Sequence, residues 1–217
     1  MLNLTFGDRP RGPMRILCLG AHSDDIEIGC GGTLLRLLEE HPDTHVRWVV
    51  FGAHGARIDE ANNSANRFLE RAGRADVVVE QFRDGFFPYV GAEIKQRFEE
   101  MKGQFDPQLV FSHYRNDLHQ DHRLISELTW NTYRDHLILE YEIPKYDGDF
   151  GSPNFFVTLG EPHVHAKVRN ILECFASQRA KAWFSEDTFM AVLRLRGLEC
   201  NAPDKYAEAF YCRKAAL

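Results

Sequence analysis

The sequence lacks several features that would assign it to a class of protein at once. Its five cysteines are odd in number and include no Cys-x-x-Cys pair, a pattern typical of reduced thiols in a cytosol rather than of a disulfide framework. No run of about 18 apolar residues occurs, so we expect no transmembrane helix. Residues 1–13 have no apolar segment of the kind found in secretion signals, and we interpret them as a loose leader. These absences predict a cytoplasmic protein without membrane insertion.

Positive charge and a nucleotide-binding glycine pattern are also missing. The formal net charge is −6, and non-specific nucleic-acid binding requires a basic face, so we expect no nucleic-acid partner. The absence of Gly-x-Gly-x-x-Gly argues against a dinucleotide-binding enzyme. The 217 residues, 44% of them hydrophobic, fit a single domain, which we predict over 14–217. Self-association into a homo-oligomer is left open.

Short apolar runs alternate with segments of helical spacing along the chain. Strands are predicted at 15–21, 46–52, 76–81, 109–112, 138–143 and 155–159, and helices at 33–40, 61–72, 93–104, 163–176 and 186–198. Gly73 is interpreted as the residue that ends the second helix. Alternating strands and helices are typical of βαβ units. The predicted fold class is therefore α/β, with three layers, a Rossmann-like, mainly parallel sheet, helices on both faces and a mixed edge.

Polar side chains follow the first predicted strand directly, in the loop 21–32. His22 and Asp25 are three residues apart, so a tight turn can direct both at one ion, and their nitrogen and oxygen atoms suit zinc. Asp24 projects in another direction and can reach a water at that ion. Taken singly, each residue has an equally good structural interpretation as a turn cap or a loop histidine. The loop ends in three glycines, expected to allow close backbone approach and unusual dihedral angles: Gly29, Gly31 and Gly32.

A second polar loop, 112–123, follows the fourth predicted strand. Functional groups gather beyond the carboxyl ends of strands in open α/β sheets, which favours both loops as parts of one site. A catalytic zinc takes about three protein ligands and keeps one open position. The first loop supplies two, and a histidine of the second loop would supply the third. Its candidate residues lie within ten positions: His113, Asp117, His119, Asp121 and His122.

The two loops resemble the signatures of a known family. AHSDDIEIGCGG resembles the His-x-Asp-Asp loop of the zinc-dependent de-N-acetylases related to N-acetylglucosaminyl-phosphatidylinositol de-N-acetylase, the PIG-L or LmbE-like family. LHQDHR is similar to the His-x-Asp-His signature of that family, and the likeness in organisation covers about residues 14–177. The resemblance implies a metal-dependent N-deacetylase, a hydrolase of linear amide C–N bonds, that uses Zn²⁺. Its expected substrate is a small N-acetylated amino sugar or a glycoconjugate.

The resemblance also implies a role for individual side chains. The metal ligands are His22, Asp25 and His122; the general base is Asp24; a protonated His119 donates to the oxyanion or the leaving amine, with Asp121 orienting it; Arg57 and Asp84 hold sugar hydroxyls. Two structural alternatives remain open, since Arg57 could pair with Glu60 and Asp84 could shape the turn at Gly85.

Two departures from the family pattern suggest where this chain differs from its relatives. Ser23 stands where many relatives have proline, a change that should not disturb the ligands, whereas Phe175 stands where relatives often have a histidine. The second departure puts a role of that segment in the site in doubt and hints at a different substrate. The resemblance assigns no role to the segment 138–159, which is rich in aromatic and acidic residues.

Three alternatives compete with sugar deacetylation by a zinc enzyme. In the first, the same site hydrolyses a non-sugar N-acyl amide. In the second, the chain is a non-catalytic α/β binding module that has kept the fold. Two histidines and one aspartate would also accept iron or cobalt in place of zinc.

Overall fold

The apolar runs in the middle of the sheet form strands that are buried on both faces, because helices cover the sheet from both sides. A computed structural model describes residues 12–216. In it, alternate residues of the first strand, β1 (Arg15–His22), enter two separate cores. Ile16 and Cys18 belong to one core, and Leu17 and Leu19 belong to the other. The near-continuous apolar sequence of this strand therefore reflects a position in the middle of three layers.

The remaining elements alternate as the sequence suggests. In chain order they are α1 (Asp25–Glu40), β2 (His45–Gly52), α2 (Ala56–Phe68), β3 (Arg74–Val79), α3 (Gly91–Gln104), β4 (Leu109–His113), α4 (Gln120–Thr132), β5 (Leu137–Tyr141), β6 (Phe155–Leu159), α5 (Glu161–Cys174), α6 (Glu186–Glu199) and β7 (Tyr206–Cys212). Short 3₁₀ turns precede α3, at Phe87–Val90, and follow α5, at Ala176–Gln178.

The strand order places the ends of β1 and β4 beside each other. The sheet runs β3-β2-β1-β4-β5-β7-β6, with the first five strands parallel and β7 antiparallel to both its neighbours. The chain first builds outward from β1 through β2 and β3, and then returns to add β4 on the other side. This reversal is the switch point at which open α/β sheets bind their ligands.

The predicted fold class is confirmed, but α1 begins earlier than predicted. It starts at Asp25 rather than at residue 33, so the three glycines of the first polar segment lie inside a helix. None of them has a positive φ, and the expectation of unusual dihedral angles was wrong. Their small size matters instead, because a Cβ on Gly29 would lie 2.2 Å from Tyr141 Cδ2, and one on Gly31 would lie 2.6 Å from Phe68 Cε1. The glycines let α1 approach its neighbours closely.

Three further elements differ from the sequence prediction. Helix α2 covers Ala56–Phe68 instead of 61–72, so it ends before Gly73 can act as its C-terminal residue. Helix α4 begins where the sequence predicts only a polar loop, and β7 was not predicted. Strand β7 lies between β5 and β6 and supplies the antiparallel edge. The predicted helices at 163–176 and 186–198 are confirmed within two residues as α5 and α6.

The predicted leader 1–13 lies almost entirely outside the described residues, which begin at residue 12. Within residues 12–216, no helix combines the length and the apolar character needed to cross a bilayer.

Candidate metal centre

A tight turn joins β1 to α1 and directs two side chains to the same point. His22 is the last residue of β1 and Asp25 is the first of α1. The backbone N–H of His22 donates to Asp25 Oδ2 at 2.6 Å, which closes the turn. Both side chains are buried. The spacing of His22 and Asp25 predicts that the two side chains converge, and the structure shows them together.

His122 reaches the same point from the neighbouring strand. It lies in the first turn of α4, a few residues after β4 ends. Its Nε2 lies 3.2 Å from His22 Nδ1 and 3.6 Å from Asp25 Oδ1, and His22 Nδ1 lies 3.5 Å from Asp25 Oδ2. Ligand atoms of a tetrahedral zinc with bonds of 2.0–2.1 Å are about 3.3 Å apart. The two histidines therefore lie close to different oxygens of the Asp25 carboxylate. Other groups of described residues could also hold an ion, among them His22 with His119 and His122, and Asp25 with His113 and His122. The choice of His22, Asp25 and His122 as ligands stays a prediction.

The outward-facing nitrogens of both histidines are held by carboxylates. His122 Nδ1 lies 2.9 Å from Asp117 Oδ2, and His22 Nε2 lies 3.2 Å from Asp121 Oδ2. A ring nitrogen that donates to a carboxylate carries the proton, which leaves a lone pair on the other nitrogen. When both rings are neutral, two lone pairs face one another at 3.2 Å, an arrangement that a cation between them would stabilise. The donor set of two imidazole nitrogens and one carboxylate fits zinc.

Burial and nearby charges shift the pKa values of His122 and Asp25 in the directions that favour cation binding. Burial, reinforced by repulsion from His113, lowers the pKa of His122 to about 4. Burial also opposes ionisation of Asp25, but His122 and His113 outweigh it and hold the pKa of that carboxyl well below its usual range. A neutral imidazole and an ionised carboxylate are the forms that bind a metal.

The pKa of His22 moves in the opposite direction. Burial would lower it, but hydrogen bonds to Asp121, Asp25 and Asp84 raise it well above its ordinary value. The shift favours the protonated ring, so a metal that binds at Nδ1 would compete with a proton.

Asp24 is a buried carboxylate next to the predicted ligand Asp25. Arg57, in the first turn of α2, donates through Nη2 to Asp24 Oδ1 at 2.8 Å and through Nε to Ser23 Oγ at 2.7 Å. Burial raises the pKa of Asp24, although Arg57 opposes the shift. The alternative pairing of Arg57 with Glu60 is not observed, since Glu60 accepts hydrogen bonds from the backbone and hydroxyl of Ser177.

His119 caps α4 and lies beside both predicted histidine ligands, His22 and His122. Its ring centroid is 5.0 Å from that of His22 and 4.6 Å from that of His122. Its Nδ1 accepts the backbone N–H of Asp121 at 3.3 Å, which places the ring proton on Nε2. Burial, together with repulsion from His22, lowers the pKa of His119. The shift favours the neutral ring, which would donate through Nε2–H, and the protonated His119 that the resemblance implies stays a prediction.

Asp121 has a different partner from the one expected. Its carboxylate accepts the backbone N–H groups of Gly85 at 2.6 Å and Phe87 at 3.1 Å, and it contacts His22 Nε2. The link from Asp121 to His119 runs through the Asp121 backbone N–H instead. Asp121 therefore orients His22 and ties the loop after β3 to the site.

Asp84 stands at the mouth of the site, with more than half of its side chain exposed. Its Oδ1 lies 3.1 Å from His22 Nε2, and its Oδ2 lies 4.0 Å from Arg57 Nη1. The hydrogen bond to His22 lowers the pKa of Asp84 to about 2. The next residue, Gly85, has a φ of +78°, so Asp84 both precedes a turn and presents an ionised carboxylate to solvent.

Two further candidates of the second polar loop, Asp117 and His113, were predicted from the sequence without a specific role. Asp117 holds His122, as described above. The ring of His113 stacks on that of His122 at 4.0 Å between centroids, and His113 Nε2 accepts the backbone N–H of Ala21 at 2.9 Å. Both residues were recognisable as candidates because histidine and aspartate are concentrated in the segment after β4. The unusual Phe175 is fully buried in the larger core.

Comparison with known proteins identifies the family. The family described as PIG-L: GlcNAc-PI de-N-acetylase matches residues 17–133, more than half of the chain, from β1 to the end of α4. The chain belongs to the PIG-L family. The matched region contains all the predicted site residues, and family membership makes the chain an enzyme of the N-deacetylase class.

Solved structures share the PIG-L fold at low sequence identity. The N,N′-diacetylchitobiose deacetylase from Pyrococcus horikoshii is 20% identical, with a TM-score of 0.68 over 91% of this chain and 83% of that chain. The zinc-inhibited form of teicoplanin deacetylase is 14% identical, with a TM-score of 0.70 over 92% and 97%. The 4-carboxy-2-hydroxymuconate hydratase from Pseudomonas putida is 18% identical, with a TM-score of 0.71 over 94% and 98%. These likenesses show the fold alone, and the substrate must be argued from the site.

Proposed function

We propose that this PIG-L-family chain is a zinc-dependent hydrolase that removes the acetyl group from an N-acetylated amino sugar or its conjugate. The observation that carries the proposal is the convergence of His22, Asp25 and His122 with a fourth buried group, Asp24, beside them. Three ligands leave one position of a tetrahedral ion open, as catalytic zinc sites require. Arg57 pairs with Oδ1 of Asp24, and we assign proton transfer to the other oxygen, Oδ2.

Zinc at this site would polarise the acetyl carbonyl and lower the pKa of a bound water from 15.7 to about 7. Asp24 accepts the proton of the attacking water, and its raised pKa brings it closer to the range in which a general base works well. His119 donates its Nε2–H to the oxygen that gains negative charge in the tetrahedral intermediate. When the C–N bond breaks, the proton on Asp24 passes to the leaving nitrogen, and acetate and a free amine result.

The mouth of the site supports a hydroxylated substrate. Arg57 offers N–H donors and Asp84 offers an exposed carboxylate, and the two side chains approach each other to 4.0 Å. Together they can bind neighbouring hydroxyl groups of one sugar ring. The Pyrococcus horikoshii relative is described as an N,N′-diacetylchitobiose deacetylase, which agrees with this substrate class. The sugar part is common to free, nucleotide-linked and lipid-linked substrates.

The proposal is tested by comparing two substrate classes on the same zinc-loaded preparation. Acetate release is measured from N-acetylglucosamine and its conjugates, and in parallel from N-acetylated amino acids. Because one relative of this fold is described in a zinc-inhibited form, zinc is added in equimolar amount only. Release from an amino sugar supports the proposal, whereas release from amino acids alone replaces it with hydrolysis of a non-sugar amide.

A further inference from the structure

A lysine outside the family signatures contacts the carboxylate that holds the proposed ligand His122. Lys145 follows β5, in the connection 142–154 that leads to β6. Its Nζ lies 2.9 Å from Asp117 Oδ2, the same oxygen that lies 2.9 Å from His122 Nδ1. Asp117 Oδ1 accepts the backbone N–H of His119 at 2.8 Å. One carboxylate thus holds the ring of His122 and the start of α4, and Lys145 holds that carboxylate.

The same lysine binds a second aspartate, which closes a ring of contacts. Lys145 Nζ lies 2.6 Å from Asp149 Oδ2, and Asp149 Oδ2 accepts the backbone N–H of Leu118 at 2.7 Å. Lys145 and Asp149 are four residues apart, and such pairs are often weak contacts on a surface. Here the side chains of Lys145, Asp149 and Asp117 are only 11%, 7% and 2% exposed. The charges are shielded from water, so removing one of them carries a large cost.

The connection that carries Lys145 is itself fixed at its base. Arg196 of α6 donates to both oxygens of Glu142, at 2.9 and 2.7 Å, and to the carbonyl of Gly151 at 3.3 Å. Tyr211 of β7 also donates to Glu142, at 2.9 Å. These contacts hold both ends of the segment against the C-terminal part of the fold. Lys145 is therefore presented to Asp117 from a supported position.

We propose that Lys145 is a positioning residue for the metal centre, and that the connection 142–154 serves to clamp the loop that carries His122. This inference rests on the proposed function, because it assigns the residue to the same zinc site. Without the Lys145 ammonium, the Asp117 and Asp149 carboxylates would face each other inside the protein with no cation between them. Their repulsion would move Asp117 away from His122 Nδ1 and release the ring from the orientation in which Nε2 faces His22.

The test is zinc affinity, measured by competition with a chromogenic chelator on purified apo-protein. Lys145→Met keeps the length of the side chain and removes its charge, and it should weaken zinc binding by the roughly 10–100-fold that loss of an outer-shell partner costs. Lys145→Arg keeps a cation in the same place and should recover most of this loss. Lys102→Met, at an exposed lysine of α3, is the matched control and should bind zinc like wild type. The KM for substrate at saturating zinc should stay unchanged in Lys145→Met.

A second variant protects the test against a failure to fold. Asp149→Asn keeps an oxygen for the Leu118 N–H but weakens the hold on Lys145, so it should reduce zinc affinity less than Lys145→Met does. If Lys145→Met and Asp149→Asn both fold and bind zinc within about twofold of wild type, far short of the outer-shell effect, the clamp is refuted while the deacetylase proposal stands. Zinc binding by Lys145→Arg that is no tighter than that of Lys145→Met would likewise refute it. If wild-type protein itself binds no zinc, the proposed function fails and the clamp fails with it.

Discussion

His122 Nε2 and His22 Nδ1 face each other at 3.2 Å, although the two residues are 100 positions apart in the chain. The contact exists because β1 and β4 are neighbours in the sheet and both end at the same edge. Each ring is turned by a carboxylate on its far side, Asp121 for His22 and Asp117 for His122. The fold thus supplies both the meeting of the rings and their orientation, as the proposed zinc site requires.

Replacing His122 by alanine should abolish tight zinc binding. The loss should exceed the roughly 10–100-fold expected for an outer-shell partner, because a direct ligand is removed. Metal content is measured by atomic absorption after dialysis, beside His165→Ala, which removes an exposed histidine of α5. Unchanged metal content in His122→Ala would show that the ligand assignment is wrong.

Replacing Asp24 by asparagine should separate metal binding from turnover. A side-chain amide at this position cannot accept the proton of the attacking water, so kcat should fall by about 10²–10⁴-fold, while zinc content stays at the wild-type level. Asp135→Asn changes an aspartate that is 91% exposed and serves as the control. Wild-type kcat in Asp24→Asn, measured by acetate release, would remove Asp24 from the mechanism.

Arg57 should set the acidic limit of activity. A general base works only when deprotonated, so kcat/KM falls as the pH drops through the pKa of Asp24. Burial raises that pKa and Arg57 lowers it, so Arg57→Gln should raise it further and move the acidic limb of the profile to higher pH. Arg57→Lys keeps the charge and should move the limb less. If the acidic side of the kcat/KM profile is the same in Arg57→Gln as in wild type, the ion pair with Arg57 does not control the pKa of the general base.

Gly29 should be intolerant of even one methyl group. A Cβ there would lie 2.2 Å from the Tyr141 ring, so Gly29→Ala should destabilise the protein by about 1–3 kcal/mol through overpacking. Gly103, in α3, has nothing within 4 Å of such a Cβ. Gly103→Ala should be neutral or stabilise the fold by about 0.5–1 kcal/mol. Denaturant unfolding of both variants checks the pair, and equal stabilities would contradict the close packing of α1 on β5.

Local patterns were sufficient for much of the fold. Strands such as β1 and β6 are recognisable as short apolar runs, and the alternation of such runs with helices indicates the parallel sheet. The predicted start of α1 is misplaced because glycine and charge at residues 24–32 suggest a loop, whereas tertiary packing against Tyr141 and Phe68 favours small residues in a helix. Strand β7 was missed because its place between β5 and β6 depends on long-range pairing.

The candidate site, like the fold, could be predicted from the sequence only in part. His22 and Asp25 could be proposed as ligands because ligand chemistry imposes a spacing on them, and the family resemblance singles out His122 among the histidines of the second loop. Their supporting contacts could not, because the partners are distant in sequence and ordinary in type. Lys145 reaches Asp117 from 28 positions away, and the partner of Asp121 is His22, 99 positions away, rather than the nearby His119. No local pattern distinguishes these side chains from surface charges.

Metal-dependent deacetylation is tested most directly by acetate release from one N-acetylated amino sugar in three preparations of the same chain. These are the chelator-treated apo-protein, the apo-protein with one equivalent of zinc restored, and zinc-loaded Asp24→Asn. We predict substantial release in the second preparation alone, with zinc bound but little turnover in the third. Equal release by the apo-protein and the zinc-restored protein would contradict it.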